Sequence, residues 1–362
     1  MRLRVFKKLS FAFGTVVFGG LLWCSCNQDP IFYSISLEVE PVDPRIGGMP
    51  TSIVSIGKTC YVASKFSKTI HYYDGENGWQ ELAKRPDGRP IMDLAATERY
   101  LYALTGEPGS TALYKWDSTA TNADWEAVDN AAHVQSIYGA QDKLFACAGS
   151  DPFTLWHDDG GALAELSGGS GFLQGAAFNK TDYYLAGAGI YKLSGTTLSP
   201  VAGTGAFTVA GLITLEDNTV VGVSGQNLLA IKPGGEFTQK DMGATFTGAL
   251  ALWGKKTEAE QAAAAEPKTL LVLGIQGSST STTHGYREIL LSSGTLNPDA
   301  MALRTPGKDP SNSSVSDYDK YNSSLGKHPV MTLFQAADGI LFAGTTKNGL
   351  WSYRNDQWNA EP

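Results

Sequence analysis

Residues 99–118 read RYLYALTGEPGSTALYKWDS. An apolar strand closes on the small Ala103, a loop follows, and a second strand alternates Leu113 and Lys115 with Tyr114 and Trp116, so its two aromatics share a face. The phrase returns at 59–75 as TCYVASKFSKTIHYYDG and at 341–354 as LFAGTTKNGLWSYR. Weaker versions lie between, opening on DKLFACAG at 142, DYYLAGAG at 182, NTVVGVSG at 218 and TLLVLGIQG at 269.

The small residue closing the first strand of each copy falls at Ala63, Ala103, Ala146, Ala186, Gly222, Gly274 and Ala343, at spacings of 40, 43, 40, 36, 52 and 69 residues. Insertions stretch the last two. A period near 40 with several strands per unit is the length of one propeller blade. Another apolar run precedes each copy, as in TSIVSIG from Thr51, IMDLAAT from Ile91 and VMTLFQA from Val330. A fourth strand follows many of them, as in WQELA from Trp79, WEAV from Trp125, LAEL from Leu163, FTQK from Phe237 and WNAE from Trp358. The sequence therefore predicts an all-β fold, a seven-bladed β-propeller over 51–362. Each blade is expected to be a four-stranded antiparallel meander, with strand a innermost and strand d outermost.

Burial is the physical reason. One blade alone leaves both sheet faces wet, so copies must stack on their neighbours, and a closed ring leaves no face uncovered. The strand c aromatics, Tyr114 with Trp116, Trp351 with Tyr353 and His71 with Tyr73, read as packing between blades. With 41 glycines in 362 residues and 18% charged residues, the composition fits a turn-rich β protein rather than a helical or disordered one.

The start of the chain carries a separate signal. Arg2, Arg4, Lys7 and Lys8 precede an apolar stretch over 9–23, and then comes Leu22-Trp23-Cys24-Ser25-Cys26. This resembles the signal peptide of bacterial lipoproteins in the looser, spirochaete-like form. The resemblance implies cleavage after residue 25 and acylation of Cys26, since Cys24 would set bulky Trp23 at the cleavage site. An ordinary secretory signal or an N-terminal membrane anchor is the alternative. Residues 26–50 are expected to be a tether in which Ile35, Leu37 and Val39 form an edge strand that closes the ring, in competition with the last blade's own fourth strand at 357–360. Removing residues 1–25 takes four of the 28 basic side chains and none of the 36 acidic ones, so the net charge falls from −8 to −12. That balance argues against nucleic acid as a partner.

Of four cysteines, Cys60 and Cys147 lie beyond the signal, in blades separated by a third, too far apart for a disulfide. They are expected to be free and buried. His71, His133, His157, His284 and His328 show no metalloprotease or paired-cysteine spacing, and no nucleophile elbow or phosphate loop is present. The Asp309–Asn322 stretch lacks the glycine and glutamate of a calcium loop and reads as a solvated polar loop. No catalytic residue, metal or cofactor is expected.

Strands that alternate in direction sort their connections onto two faces: b–c and d–a turns on one, a–b and c–d turns on the other. The first face receives the long segments 276–285 and 296–328, together with Lys65, Lys68, Arg85, Asp87, Arg89, Glu107, His133, Asp151 and Lys347. The predicted binding surface is a basic patch there, made of Lys65, Lys68, Arg85, Arg89, His284, Arg287 and Lys347. The insertion over 255–267 falls on the other face as a short Ala/Glu-rich helix stopped by Pro267.

Over about 50–361 the chain resembles seven-bladed β-propeller lipoproteins, whose rigid discs hold proteins or glycans through their loops. That implies a lipid-anchored, non-enzymatic binding or scaffold protein of a bacterial envelope, at the outer membrane on its periplasmic or surface face. The alternatives are a small-ligand receptor or propeller enzyme (hydrolase or lyase) working in the axial funnel, where Asp93, Gln135 and Gln174 are the chief polar residues, and a surface adhesin.

Overall fold

A computed structural model describes residues 46–120, 123–129, 131, 133–148, 154–158, 162–169, 172–255, 268–276, 285–291, 294–296, 325, 329–354 and 357–361. The first blade is β1 (Pro50–Ile56), β2 (Thr59–Ser64), β3 (His71–Tyr73) and β4 (Trp79–Glu81); the second is β5 (Ile91–Ala96), β6 (Tyr100–Glu107), β7 (Ser110–Asp117) and β8 (Glu126–Ala127). The third is β9 (Val134–Ala140), β10 (Lys143–Ala148), β11 (Thr154–Asp158) and β12 (Ala164–Glu165). The fourth is β13 (Gly175–Phe178), β14 (Tyr183–Gly187), β15 (Gly189–Ser194) and β16 (Thr197–Pro200), and the fifth β17 (Ala210–Thr214), β18 (Val220–Ser224), β19 (Asn227–Ile231) and β20 (Phe237–Asp241). A sheet of β21 (Phe246–Lys255), β22 (Lys268–Ile275) and β23 (Gly285–Leu290) follows, and the chain ends with β24 (Val330–Gln335), β25 (Leu341–Thr345), β26 (Leu350–Arg354) and β27 (Gln357–Ala360).

Six sheets are thus four-stranded antiparallel meanders of consecutive strands, and the sheet at Phe246–Leu290 has three strands among the described residues. The expectation of seven four-stranded blades needs that correction. No outer-strand pattern of the WEAV or FTQK kind follows Leu290, where the sequence turns to Ser-Ser-Gly and then Asn297-Pro298. The innermost strands abut in the order β1, β5, β9, β13, β17, β21 and β24, and β24 meets β1, which closes the ring.

In six blades the small residue of strand b stands opposite a large residue of strand c, as where Ala103 pairs Tyr114, Ala343 pairs Trp351 and Gly274 pairs Tyr286; in the first blade the register stops at Val62, one residue short of Ala63. The small partner leaves room for the large one within a single blade. Seven hydrophobic clusters sit between the sheets, one at each junction; Leu101, Ala103, Leu94 and Ile91 of the second blade, for example, meet Tyr61, Ala63 and Ile70 of the first. Each large side chain buried this way contributes about 2 kcal/mol relative to exposure. Trp116 meets Tyr61 edge-on at 6.1 Å, Tyr353 meets Trp253 at 5.0 Å and Tyr73 meets Phe342 at 5.2 Å, so these aromatics pack across blade junctions as expected. Tyr114 differs: its hydroxyl hydrogen-bonds Arg89. Cys60 and Cys147 are free and buried, and burial pushes the Cys60 thiol up to about 12.

Among the described residues each terminal blade owns its four strands, and none is exchanged between them. The closing bonds run instead from residues just before β1. Ile46 O accepts the Leu350 N–H at 3.0 Å and Gly48 O accepts the Gly349 N–H at 3.1 Å. Ile46 is buried in the cluster between first and last blades. The edge strand expected at Ile35–Val39, Cys26, and the helix expected over 255–267 lie outside the described residues. Among the described residues, no helix is long and apolar enough to cross a membrane.

Candidate functional site at the axial cavity

The innermost strands surround an axial cavity of about 680 Å³. A register shift recurs near the N-terminal end of these strands: between Pro50 and Ser52, Ile91 and Asp93, Val134 and Ser136, Ala210 and Leu212, Phe246 and Leu250, and Val330 and Thr332. A bulge bends a strand and re-aims the side chain it leaves unpaired. Met92, Gln135 and Met331 are such residues, and all three line the cavity, joined by Phe172 and Gln174 just before β13 and by Lys65 just after β2.

In four blades the residue after the bulge fastens one inner strand to the next. Thr332 Oγ1 accepts the Ile53 N–H at 3.3 Å, and Ser52 Oγ accepts the Leu94 N–H at 3.0 Å. Asp93 accepts the Ile137 N–H and the Ser52 hydroxyl, as well as its neighbour's Leu94 N–H at 2.9 Å. Ser136 Oγ donates to Leu173 O at 3.1 Å. Burial pushes Asp93 up to about 6, against the pull of those hydrogen bonds and of the Lys65 charge. Burial, with the charge of Asp93 second, also raises the Tyr138 phenol beside it.

The three polar residues expected in the funnel, Asp93, Gln135 and Gln174, all line it. The predicted basic patch is partly assembled. Lys65 N–H bonds Met49 O at 2.8 Å, Phe66 N–H bonds Ile91 O at 2.8 Å, and the turn holding Lys347 is tied to Gly48. Lys347, Lys65 and Lys68 therefore sit along one arc of the cavity mouth. Arg85 and Arg89 reach the same side but are held by Glu81 and Asp87, each at 2.6 Å, so their charge is matched locally. Arg287 is half-buried in β23 and donates to Tyr286 O at 3.0 Å, and Glu107 and His133 are exposed. His284 and Asp151 lie outside the described residues. The sequence reading missed the apolar rim of Phe66, Met92, Phe172 and Met331, and the fastening residues Ser52, Ser136 and Thr332. A signal for the latter existed: a small polar or acidic residue directly before the second aliphatic of strand a, in Ser52-Ile53, Asp93-Leu94, Ser136-Ile137 and Thr332-Leu333.

Chemically, the cavity offers one carboxyl group, one ammonium, two amides and hydroxyls among aliphatic walls. No group of three or more His, Cys, Asp or Glu among the described residues is placed to hold a metal.

The fold and its cavity define the class: a β-propeller. No family model matches the sequence, and no curated protein is similar to it. Solved structures agree on the fold. A streptogramin B lyase is similar with a TM-score of 0.54 at 11% identity, over 85% of this chain and 93% of that one. The WD40 propeller domain of Doa1 gives 0.54 at 10% identity, over 85% and 93%. YCF48 bound to D1 peptide gives 0.53 at 10% identity, over 87% and 94%. Likeness at these identities carries architecture alone, because lyase and peptide binder share it here.

Proposed function

We propose that this chain is a lipid-tethered, non-enzymatic β-propeller of a bacterial envelope that holds a protein partner at the mouth of its axial cavity. One observation carries the reading. Among the described residues, three of the four exposed large hydrophobics belong to the mouth side: Phe172 at 40% and Met331 at 36% exposure line the cavity, and Phe66 at 56% sits in the turn after β2. Apolar side chains gathered around a concave opening are what a protein interface uses and what an unpartnered surface avoids. That YCF48 is a propeller of this shape bound to a peptide supports a protein partner in general. The tether comes from the sequence around Cys26 and the basic residues before it.

A photo-crosslinking residue at position 172 is expected to trap a discrete partner in intact cells, while the same probe at position 232, in a turn on the opposite face, traps none. Equal yields at both positions would refute the mouth as the docking site. Cys26→Ala is expected to release the chain from the membrane fraction. A second reading, a small-ligand receptor or an enzyme working in the funnel, is favoured by Asp93, whose carboxyl is raised to about 6 inside the cavity. Thermal stabilisation of the full chain by a small sugar, metal or quinone would promote it.

A further inference from the structure

The mouth has a definite charge as well as an apolar rim. Among the described residues Glu81 holds Arg85, Asp87 holds Arg89 and Asp124 holds Lys84 at 2.7 Å, while the exposed Glu107, Asp129 and Asp241 of the same face belong to the second and fifth blades, outside the junction of the first and last. Lys65, Lys68 and Lys347 are left along the arc where the first and last blades meet, with Lys65 at the cavity wall, its ammonium 5.5 Å from the Phe66 ring. Asp93, the acid of the wall, is occupied by Ser52, Leu94 and Ile137 and offers little to an incoming cation. The a–b and c–d turns at the opposite end hold Asp74, Glu76, Glu98, Asp142, Asp217 and Asp338 against Lys58 and Lys180, with Arg99 and Lys232 paired to Asp117 and Glu236. The acidic net charge of the chain therefore coexists with a local basic arc where the first and last blades meet.

We infer that the mouth selects a partner segment in which a bulky apolar side chain is flanked by carboxylates: the apolar side chain enters the cavity between Phe172, Met92 and Met331, and the carboxylates pair with Lys65, Lys68 and Lys347. This rests on the protein-binding reading and adds the chemistry of the partner. Rear and front repel and attract the same segment, so charge also sets which end of the disc it meets. A cavity of about 680 Å³ accommodates more than one large side chain.

The test is selection of the full chain, in mild detergent, against a random displayed-heptapeptide library, followed by fluorescence anisotropy of the winners. Enrichment of Leu or aromatic residues beside Asp or Glu is expected, with affinity that weakens as salt rises. Lys65→Glu should cost about tenfold or more in affinity, as should the exposed pair Lys68→Glu with Lys347→Glu, while Lys232→Glu changes nothing. The exposed pair guards against a folding defect at Lys65. Enrichment of neutral or basic peptides would overturn the inference, as would equal effects of the front and rear variants. So would binding to vesicles containing anionic phospholipid with the same lysine dependence and no peptide selection. Crosslinking from position 172 with no acidic preference in the library would sink this chemistry and leave the protein-binding reading standing; failure of both would sink both.

Discussion

Two arcs of the ring hold their inner strands together by opposite means. From β24 through β1 and β5 to β9, polar side chains bridge the junctions: Thr332 reaches Ile53, Ser52 reaches Leu94 and Asp93 reaches Ile137. From β13 through β17 to β21 no such side chain follows the bulge, and the side-chain bond between β13 and β17, from Thr214 Oγ1 to Phe178 O at 3.1 Å, lies at the far end of the strands. A Cβ on Gly175 would stand 2.9 Å from Leu212 N, and one on Gly211 would stand 2.1 Å from Gly248 O. There the backbones touch directly, and Gly211 N–H bonds Gln174 O at 3.0 Å. Strands near a crowded axis are joined either by a side chain that spans a gap or by its removal so that no gap remains. The first solution leaves hydroxyls and a carboxyl on the cavity wall, and it is on this arc that the mouth lysines lie.

The largest effect should come from the glycine arc. Gly211 has φ +73 and no room for a methyl group. Gly211→Ala combines left-handed strain with a backbone clash, and is expected to cost about 3 kcal/mol. Gly225→Ala is the control, with φ +57 and open space around it, and should cost about 1 kcal/mol. Denaturation midpoints of the two variants would decide. Equal losses would mean that the close approach of β17 and β21 contributes nothing.

The polar arc should respond to pH where the glycine arc does not. Asp93 titrates at about 6 in the folded chain, above the usual carboxylate value of about 4 in the unfolded one. Between those values the folded state keeps a proton that the unfolded chain has released. Stability contributed at this site therefore falls as pH rises from about 4 to about 6, and is level outside that window. Asp93→Asn has no such slope. Its stability relative to the natural chain should rise by about 2 kcal/mol between pH 4 and pH 7. Parallel curves for the two proteins would show that Asp93 is better solvated than its surroundings imply.

The contrast also explains what could be read from the sequence. Blades were legible because a period near 40 repeats the whole pattern, small residue against large, and because Trp116 and Tyr353 recur on one face of their strands. The polar bridges were not, since each is one residue whose partner lies in the next blade, 42 residues on for Ser52 and Leu94 but 279 away for Thr332 and Ile53, and the residue after the bulge is Ser, Thr or Asp in four blades only. Bulges depend on how a strand meets its neighbour, so the strand alone does not announce them. The closing contact expected at Ile35–Val39, where strand-like alternation is strong, lies outside the described residues; the closing bonds that are described start at Ile46 and Gly48, in a segment whose sequence has no periodicity to announce them. Arg85 and Arg89 entered the basic patch on sequence position, although Glu81 four residues before one and Asp87 two before the other already stood within reach to neutralise them.

The smallest effect, and the sharpest on mechanism, belongs to Ser52. Its hydroxyl accepts from Leu94 and donates to Asp93, but Leu94 N–H keeps a second acceptor in Asp93 Oδ1 at 2.9 Å. Ser52→Ala should therefore cost only about 1 kcal/mol, the net worth of one hydrogen bond. Losing that donor leaves the Asp93 carboxylate less stabilised, so its titration should move to higher pH and carry the window of pH-dependent stability with it. Ser52→Ala and Asp93→Asn act on one chain of bonds and should be non-additive, whereas Ser52→Ala and Gly211→Ala sit on different arcs and should add. Additivity in both pairs would mean that the polar bridges are separate fastenings; coupling in the first pair alone would mean that the arc from β24 to β9 holds as a connected network, so that a partner engaging the mouth there meets a wall that responds as one piece.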